Sequence, residues 1–405
     1  MRIILFAGKG GVGKTSTAAA TGLLASQRGY RTIVLSLDSA HSLADAFDVD
    51  KDLMDLKKGL PFNVAPNLWI QEIDVQEEIE RHWHEVHHYV ASLFRSAGMQ
   101  EVLAEELAIL PGTEEVSGLL YVNSYARKGK YDLIILDCAP TGESIRFVSL
   151  PTIFEWYMKK FFRLEKRITK LVRPVVEKVY NVPMPGESYF DSIEALFDQL
   201  EGVQELLTDP KVTSVRLVTN PEKIVIKETQ RAFLYFSLYG LSVDGVIVNK
   251  LFPSGGEGFL SRWERLHQGY LSTIRGYFSP IPVFSIGLFR EEVVGKKALE
   301  KMGKELYGDE DPAQVFYAER PYEFSKKDGY YQLEVKLPFI TKKEVELRRR
   351  GEELIIEMGA FRRHVLLPRN IARLPSKGAK IEGKRLIIKF GGGKEDGQRG
   401  AEEAG

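Results

Sequence analysis

The 405-residue chain has a single cysteine, Cys138. One thiol excludes an internal disulfide framework and any metal site built from several thiolates of one chain, and it fits a reducing compartment. The chain also lacks net charge, with 56 basic and 56 acidic side chains, so nothing global points to nucleic acid as a partner. No apolar run approaches the roughly 18 residues of a membrane span. The apolar start is too short for a signal peptide and lacks a cleavage region, so it reads as a first strand. There is no internal repeat and no second phosphate loop. These absences lead to the expectation of a soluble chain of two or three domains with an ample core. Its expected home is the cytoplasm, or a stroma-like organelle interior if a transit segment had been removed.

What the chain does have comes first in order. The run Ile3-Ile4-Leu5-Phe6 leads into Gly8-Lys9-Gly10-Gly11-Val12-Gly13-Lys14-Thr15 and then a helical stretch from Ser16 to Arg28. Strand, glycine-rich loop and helix in that order make a phosphate-binding loop. Its glycines let backbone N–H groups point inward at the phosphates of ATP or ADP. Lys14 adds a positive charge, the Thr15 hydroxyl is placed to ligate Mg²⁺, and the helix brings its positive end.

Strand-like runs at Arg31 to Leu37, Asp132 to Leu136, Ser214 to Val218 and Gly245 to Val248 alternate with helix-period segments. This predicts an α/β fold, a parallel sheet with helices on both faces. A mostly helical stretch over about 75–207 interrupts the rhythm and predicts a helical subdomain. From about 312 the pattern changes to short strands and turns, which predicts a separate all-β sandwich over 312–391 after an ATPase domain over 1–311. The Gly-, Glu- and Lys-rich end, 392–405, reads as a disordered tail.

Two carboxylates belong with the loop. Asp137 ends the apolar strand that begins at Tyr131, where it can hold the shell of a Mg²⁺ ion. Asp38, in Ser36-Leu37-Asp38-Ser39-Ala40-His41-Ser42, follows the second strand. A carboxylate there either caps a turn or orients the attacking water.

Lys9 inside the loop is a deviant form shared with a large class of dimeric ATPases. Three segments narrow the class: Asp38 to Asp45; Asp137-Cys138-Ala139-Pro140-Thr141-Gly142 with Ile145-Arg146-Phe147 and Leu150-Pro151; and Val248-Asn249-Lys250. Together they resemble the arsenical-pump and tail-anchored-protein targeting ATPases over about residues 1–300. The resemblance implies a homodimer that hydrolyses ATP with Mg²⁺. It implies that Gly8, Gly10, Gly11, Val12, Gly13, Lys14 and Thr15 hold the phosphates, that Ser16 touches the α-phosphate, and that Asn249 reads adenine. Lys9 would act across the dimer as an arginine finger does, and Asp38 would position water. Asp137 to Gly142, Pro140 included, would form the switch that senses the γ-phosphate. The chain departs from the family pattern at Ser39, where proline is usual, and at Glu143, where histidine is frequent. It has no Cys-x-x-Cys zinc clasp, so dimerisation must rest on apolar packing and nucleotide.

The last part resembles the α-crystallin domain of small heat-shock proteins, through Leu333 to Pro338, Gly351 to Ile356, Phe361 to Pro368 and Glu382 to Ile388. A sandwich that merely caps the ATPase is the alternative.

Two further features need weighing. His84-Glu85-Val86-His87-His88 matches a zinc-hydrolase motif, but Ile79, Trp83, Val86, Val90, Leu93 and Phe94 form the apolar stripe of that helix. His84 and His88 fall on the opposite, solvated face. From Phe154 to Tyr180 a stripe of Phe154, Tyr157, Met158, Phe161, Ile168, Val172, Val175, Val176 and Val179 runs beside Lys159, Lys160, Arg163, Lys166, Arg167, Lys170 and Arg173. Such a basic amphipathic helix packs its stripe inward, lies transiently on an anionic membrane, or binds a partner. With Ala91 to Leu110 and Ile193 to Leu207 it is expected to line a groove for hydrophobic protein segments or amphipathic helices. The leading function is therefore an ATP-driven targeting factor or chaperone. The alternatives are the motor of an arsenite or antimonite efflux system, and a nucleotide-dependent scaffold.

Overall fold

The computed structural model describes residues 1–391 except 39–41, 51–56, 98, 109–111, 159–161, 163, 170–182, 254, 256–257, 328, 342–343 and 360. Ser39 to His41, much of the basic stripe including Phe161 and Val172, and the 392–405 tail lie outside the described residues.

The chain divides into two compact units, one of Met1–Phe236 with Leu241–Glu319, the other of Arg320 onward with Ser237–Gly240. The first is built in the order β1 (Arg2–Ala7), α1 (Lys14–Gln27), β2 (Thr32–Ser36), α2 (Ser42–Phe47), β3 (Phe62–Ala65), β4 (Leu68–Glu72) and α3 (Val75–Glu78). A π-helical turn, Ile79–Trp83, leads to α4 (His84–Ser96), α5 (Glu101–Leu107) and α6 (Thr113–Lys128). There follow β5 (Leu133–Asp137), α7 (Thr141–Tyr157), α8 (Glu187–Leu200), α9 (Val203–Thr208), β6 (Thr213–Thr219) and α10 (Lys223–Leu238). Last come β7 (Val243–Leu251), α11 (Phe259–Phe278), β8 (Val283–Gly287) and α12 (Gly295–Tyr307).

The eight strands form one sheet in the order β3-β4-β2-β5-β1-β6-β7-β8. All neighbours are parallel except the edge pair β3–β4, which is antiparallel. Runs of its central strands are buried and apolar, as strands covered by helices on both faces must largely be; Ile3 to Ala7, Ile33 to Leu35 and Leu133 to Leu136 have no exposed surface. The parallel arrangement puts the C-terminal ends of β1, β2, β5 and β7 along one edge, where open α/β sheets bind ligands.

In α8 and α9, Phe190, Ile193, Leu196, Leu200, Val203 and Leu207 are buried, so this apolar face of the Ile193 to Leu207 segment packs inside. Beyond α7, Phe162 is buried against the rings of Tyr157 and Phe190 and Thr169 is buried, whereas Leu164 and Ile168 are exposed. Along the π-helical turn and α4 the stripe residues Trp83 and Val86 are buried, and His84 and His88 are exposed. Among the described residues no group of three or more His, Cys, Asp or Glu could hold a metal ion, and no helix is long and apolar enough to cross a membrane.

The segment after α12 is part of the first unit, past the expected boundary at 311. Arg216 on β6 is fully buried. It donates to the Tyr307 hydroxyl at 2.8 Å, to Pro312 O at 2.8 Å and to Gln314 O at 3.1 Å, and its guanidinium lies 4.6 Å from the Phe316 ring centroid. Asp244 on β7 supplies the counter-charge, 3.4 Å from Arg216 and 3.1 Å from Arg2. Tyr307 also meets the Thr21 hydroxyl of α1 at 2.9 Å.

The second unit has two antiparallel sheets. β9 (Tyr322–Lys327), β10 (Tyr330–Lys336), β14 (Ser376–Glu382) and β15 (Arg385–Phe390) form one, in the order β14-β15-β10-β9; β11 (Glu346–Arg350), β12 (Glu353–Met358) and β13 (Phe361–Leu366) form the other. Leu333, Val335, Leu386 and Ile388 of the first sheet and Leu354, Ile356 and Val365 of the second are buried, the alternation of a sandwich.

Replacing Arg216 by Ala is expected to cost about 3–5 kcal/mol, because it leaves buried carbonyls and part of the Asp244 charge without a partner. Urea unfolding of the two proteins measures the difference.

Candidate functional site

The phosphate loop runs from the end of β1 into α1, and its shape is set from behind. Gly8 passes so close to β6 that a Cβ there would lie 2.2 Å from Val218 O. Gly13, at φ +93°, would put a Cβ 2.3 Å from the Asn249 amide nitrogen. No other residue fits either place. Asn249 Nδ2 donates to Val12 O at 2.9 Å, and its Oδ1 accepts from Lys250 N at 2.8 Å. Lys250 adopts φ +60° and sends its ammonium to Gly11 O at 2.8 Å. The carbonyls of Gly11 and Val12 are thereby held back toward β7, which leaves the loop's N–H groups for a ligand. Asn249, expected at adenine, braces the loop in this structure. Lys250 stands in the Val248-Asn249-Lys250 segment quoted from the sequence, but its bracing role was not read there, because the contact to Gly11 O spans 239 residues.

Lys14 is buried, and its ammonium donates to Lys9 O at 3.3 Å across the mouth of the loop. The Thr15 and Ser42 hydroxyls stand 3.3 Å apart. Ser16 follows at the start of α1. Lys9 is partly exposed, with its ammonium 3.9 Å from Glu228 of α10; Glu228 also accepts from the Thr141 hydroxyl at 3.4 Å. Pro140 precedes α7 as its N-cap residue, and Glu143 is exposed.

The acidic side is a row across neighbouring strands. Phe6, Asp137 and Ser36 pair laterally across β1, β5 and β2, and Glu72 pairs with Ser36 from β4. The Asp137 carboxylate is buried with neither oxygen hydrogen-bonded. Burial pushes its pKa up to about 7, the Thr15 hydroxyl and Lys14 ammonium pull the other way, and Asp38 and Glu72 add to the rise. Asp38 leaves the row one residue past Leu37; Ser36 Oγ accepts from its N–H at 3.2 Å. The loop, Asp38, Asp137 and Asn249 are therefore brought to one edge. A Mg²⁺–nucleotide fits this corner: an orphaned buried carboxylate lies near a hydroxyl at the start of a helix, the donor set of a hard cation. Bound there, Mg²⁺ would supply Lewis-acid neutralisation of phosphate charge. Thr15 and Asp137 would hold it, Asp137 at one remove.

The family model described as anion-transporting ATPase (ArsA ATPase) matches residues 1–308. The chain belongs to the ArsA ATPase family. A second model, the HSP20-like domain found in ArsA, matches residues 328–390. The chain is 50% identical over 393 residues to "Putative arsenical pump-driving ATPase 1" of Aquifex aeolicus, covering 96% of this chain and 99% of that one. It is 39% identical over 394 residues to a protein described as an arsenical pump-driving ATPase in Chlorobaculum tepidum, covering 96% of each. Identity to the ATPase get3 of Sclerotinia sclerotiorum is 28% over 316 residues, 76% of this chain and 89% of that one. This ArsA-family protein is an ATPase: it hydrolyses ATP to ADP and phosphate.

A group whose folded pKa is raised binds more protons folded than unfolded, so its contribution falls as pH rises. Asp137 is expected to remove on the order of 4 kcal/mol from the nucleotide-free protein between about pH 4 and pH 7. Asp137→Asn flattens that slope and melts later than wild type at pH 8, as thermal unfolding in EDTA would record.

Proposed function

We propose that this ATPase works as a homodimer whose nucleotide cycle binds and releases hydrophobic protein segments, in targeting or as a chaperone. One observation carries the reading. In the helical part Leu103, Leu107, Ile153, Leu164 and Ile168 are each 47–56% exposed, an unusual number of large apolar side chains to leave in water. The likeness to get3 and the HSP20-like domain support a protein-handling role. Dimerisation at the nucleotide edge is supported by Ile224 and Phe259, which begin α10 and α11 there and are 70% and 72% exposed. On this reading Lys9 leaves Glu228 to meet the partner's nucleotide, Asp38 positions the water, and Mg²⁺ sits with Thr15 and Asp137. Pro140 and its neighbours carry the γ-phosphate signal to α7. An anionic membrane surface is a transient contact.

The relatives named for arsenical pumps favour a second reading, a motor for arsenite or antimonite efflux. Metalloid capture needs several thiolates. The one thiol here, Cys138, is buried, and burial raises its pKa well above the ordinary range. This favours the first reading.

The test uses Asp38→Asn, which binds ATP but hydrolyses it slowly, with a labelled apolar helix of about 20 residues as probe. The ATP-loaded Asp38→Asn protein is expected to retain the probe, and Lys14→Ala to release it. Leu164→Asp with Ile168→Asp is expected to lose the probe while hydrolysing ATP at the wild-type rate. Equal retention by Asp38→Asn and Lys14→Ala, with antimonite raising turnover, would replace this reading with the efflux motor.

A further inference from the structure

Glu72 has no place in the reading so far, although it is a buried carboxylate on the nucleotide edge. It is the last residue of β4 and pairs laterally with Ser36 of β2. Its Oε1 accepts from Leu43 N and from Ala44 N, both at 2.9 Å. These are first-turn amides of α2, which no carbonyl within the helix can reach. A helix of six residues does not hold itself in place, so its position depends on what grips its ends. The upstream end is also gripped: Ser36 Oγ accepts from Asp38 N at 3.2 Å and donates to Asp38 O at 3.3 Å. The chain thus leaves the sheet at β2 and is caught by the neighbouring strand at Leu43 and Ala44. Ser42, next to the caught residues, is the one whose hydroxyl stands 3.3 Å from Thr15.

We propose that Glu72 is a positioning residue for ATP hydrolysis, its carboxylate fixing the start of α2 so that the Ser42 hydroxyl is presented to Thr15 on the Mg²⁺ side of the phosphate loop. The carboxylate suits the place: it accepts two N–H bonds at once and puts negative charge at the positive end of the helix. It acts through α2 and touches no substrate. Held loosely, α2 leaves phosphate binding by the loop intact but misplaces the groups around the metal.

The inference rests on the assignment of Thr15 to the Mg²⁺ side, and the experiment separates the two. ATP turnover of full-length Glu72→Ala, Glu72→Gln and Thr15→Ala would be titrated with Mg²⁺. Binding of a fluorescent ADP analogue in EDTA and the melting temperature would be followed alongside. Glu72→Ala is expected to lower kcat about tenfold, to need several-fold more Mg²⁺, and to change KM for ATP by less than about twofold. ADP binding in EDTA should stay at the wild-type level. Glu72→Gln, which keeps an acceptor for both amides, should recover turnover to within about threefold of wild type. Wild-type turnover in Glu72→Ala overturns the inference. So does a Glu72→Gln as slow as Glu72→Ala, or a loss of kcat that comes with equal losses of metal-free ADP binding and melting temperature. If Thr15→Ala shows unaltered Mg²⁺ dependence, the Thr15 assignment itself fails and takes the Glu72 inference with it.

Discussion

The phosphate loop keeps its shape because β6 and β7 press against its back. Gly8 and Gly13 have room for a hydrogen and nothing more, with Val218 O and the Asn249 amide occupying the space a side chain would take. Asn249 and Lys250 then tie down the carbonyls of Val12 and Gly11. A loop with four glycines in eight residues, Gly8 to Thr15, would otherwise lose much entropy on becoming ordered. Here much of that cost is met by contacts made when the sheet assembles, before any nucleotide arrives. β1, which leads into that fixed loop, is paired in register with β5, which ends in Asp137.

The edge is electrically unbalanced by construction. Asp38, Glu72 and Asp137 gather at the ends of three neighbouring strands, and Lys14 is the buried cation among them. Each acid has different work. Glu72 spends its charge on backbone amides, Asp38 is set just outside the sheet, and Asp137 has neither oxygen hydrogen-bonded within the protein. A buried carboxylate in that condition is costly, and a divalent cation is the kind of ligand that relieves it. On the opposite side Lys9 rests beside Glu228, which also holds Thr141 at the head of α7. The loop and the segment that follows β5 therefore share one acidic contact.

How much of this could be read from the sequence depended on whether a residue's role was local. The loop, α1, Asp38 and Asp137 were legible because each follows directly on an apolar strand run. β4 was not recognised as a strand: Gln71 and Glu72 break its apolar pattern, yet both are buried because they serve distant groups. Gln71 donates to Gly59 O and accepts from the Tyr125 hydroxyl, and Glu72 reaches α2. The strands Tyr322–Lys327 and Ser376–Glu382 were missed for the opposite reason, being charged edge strands with little apolar signal. Most of the stripe after Phe154 lies outside the described residues, and Ile168, which belongs to it, is exposed. Asn249 was picked out as a site residue, but its grip on Val12 O is a long-range contact that no spacing rule contains.

The Arg216 clamp has a consequence for the order in which the molecule can be completed. A chain made from its N-terminus presents the β6 guanidinium long before its acceptors. Pro312 and Gln314, whose carbonyls it needs, come 96 and 98 residues later. Until they arrive, the sheet can assemble its strands but has a cation at its centre whose donors are largely unmatched, and a desolvated guanidinium in that state is unfavourable. The ATPase unit therefore becomes fully stable only as synthesis reaches the threshold of the β-sandwich. Because Tyr307 links the same cluster to Thr21 on α1, the helix that follows the phosphate loop is among the elements that wait for that last stretch of chain.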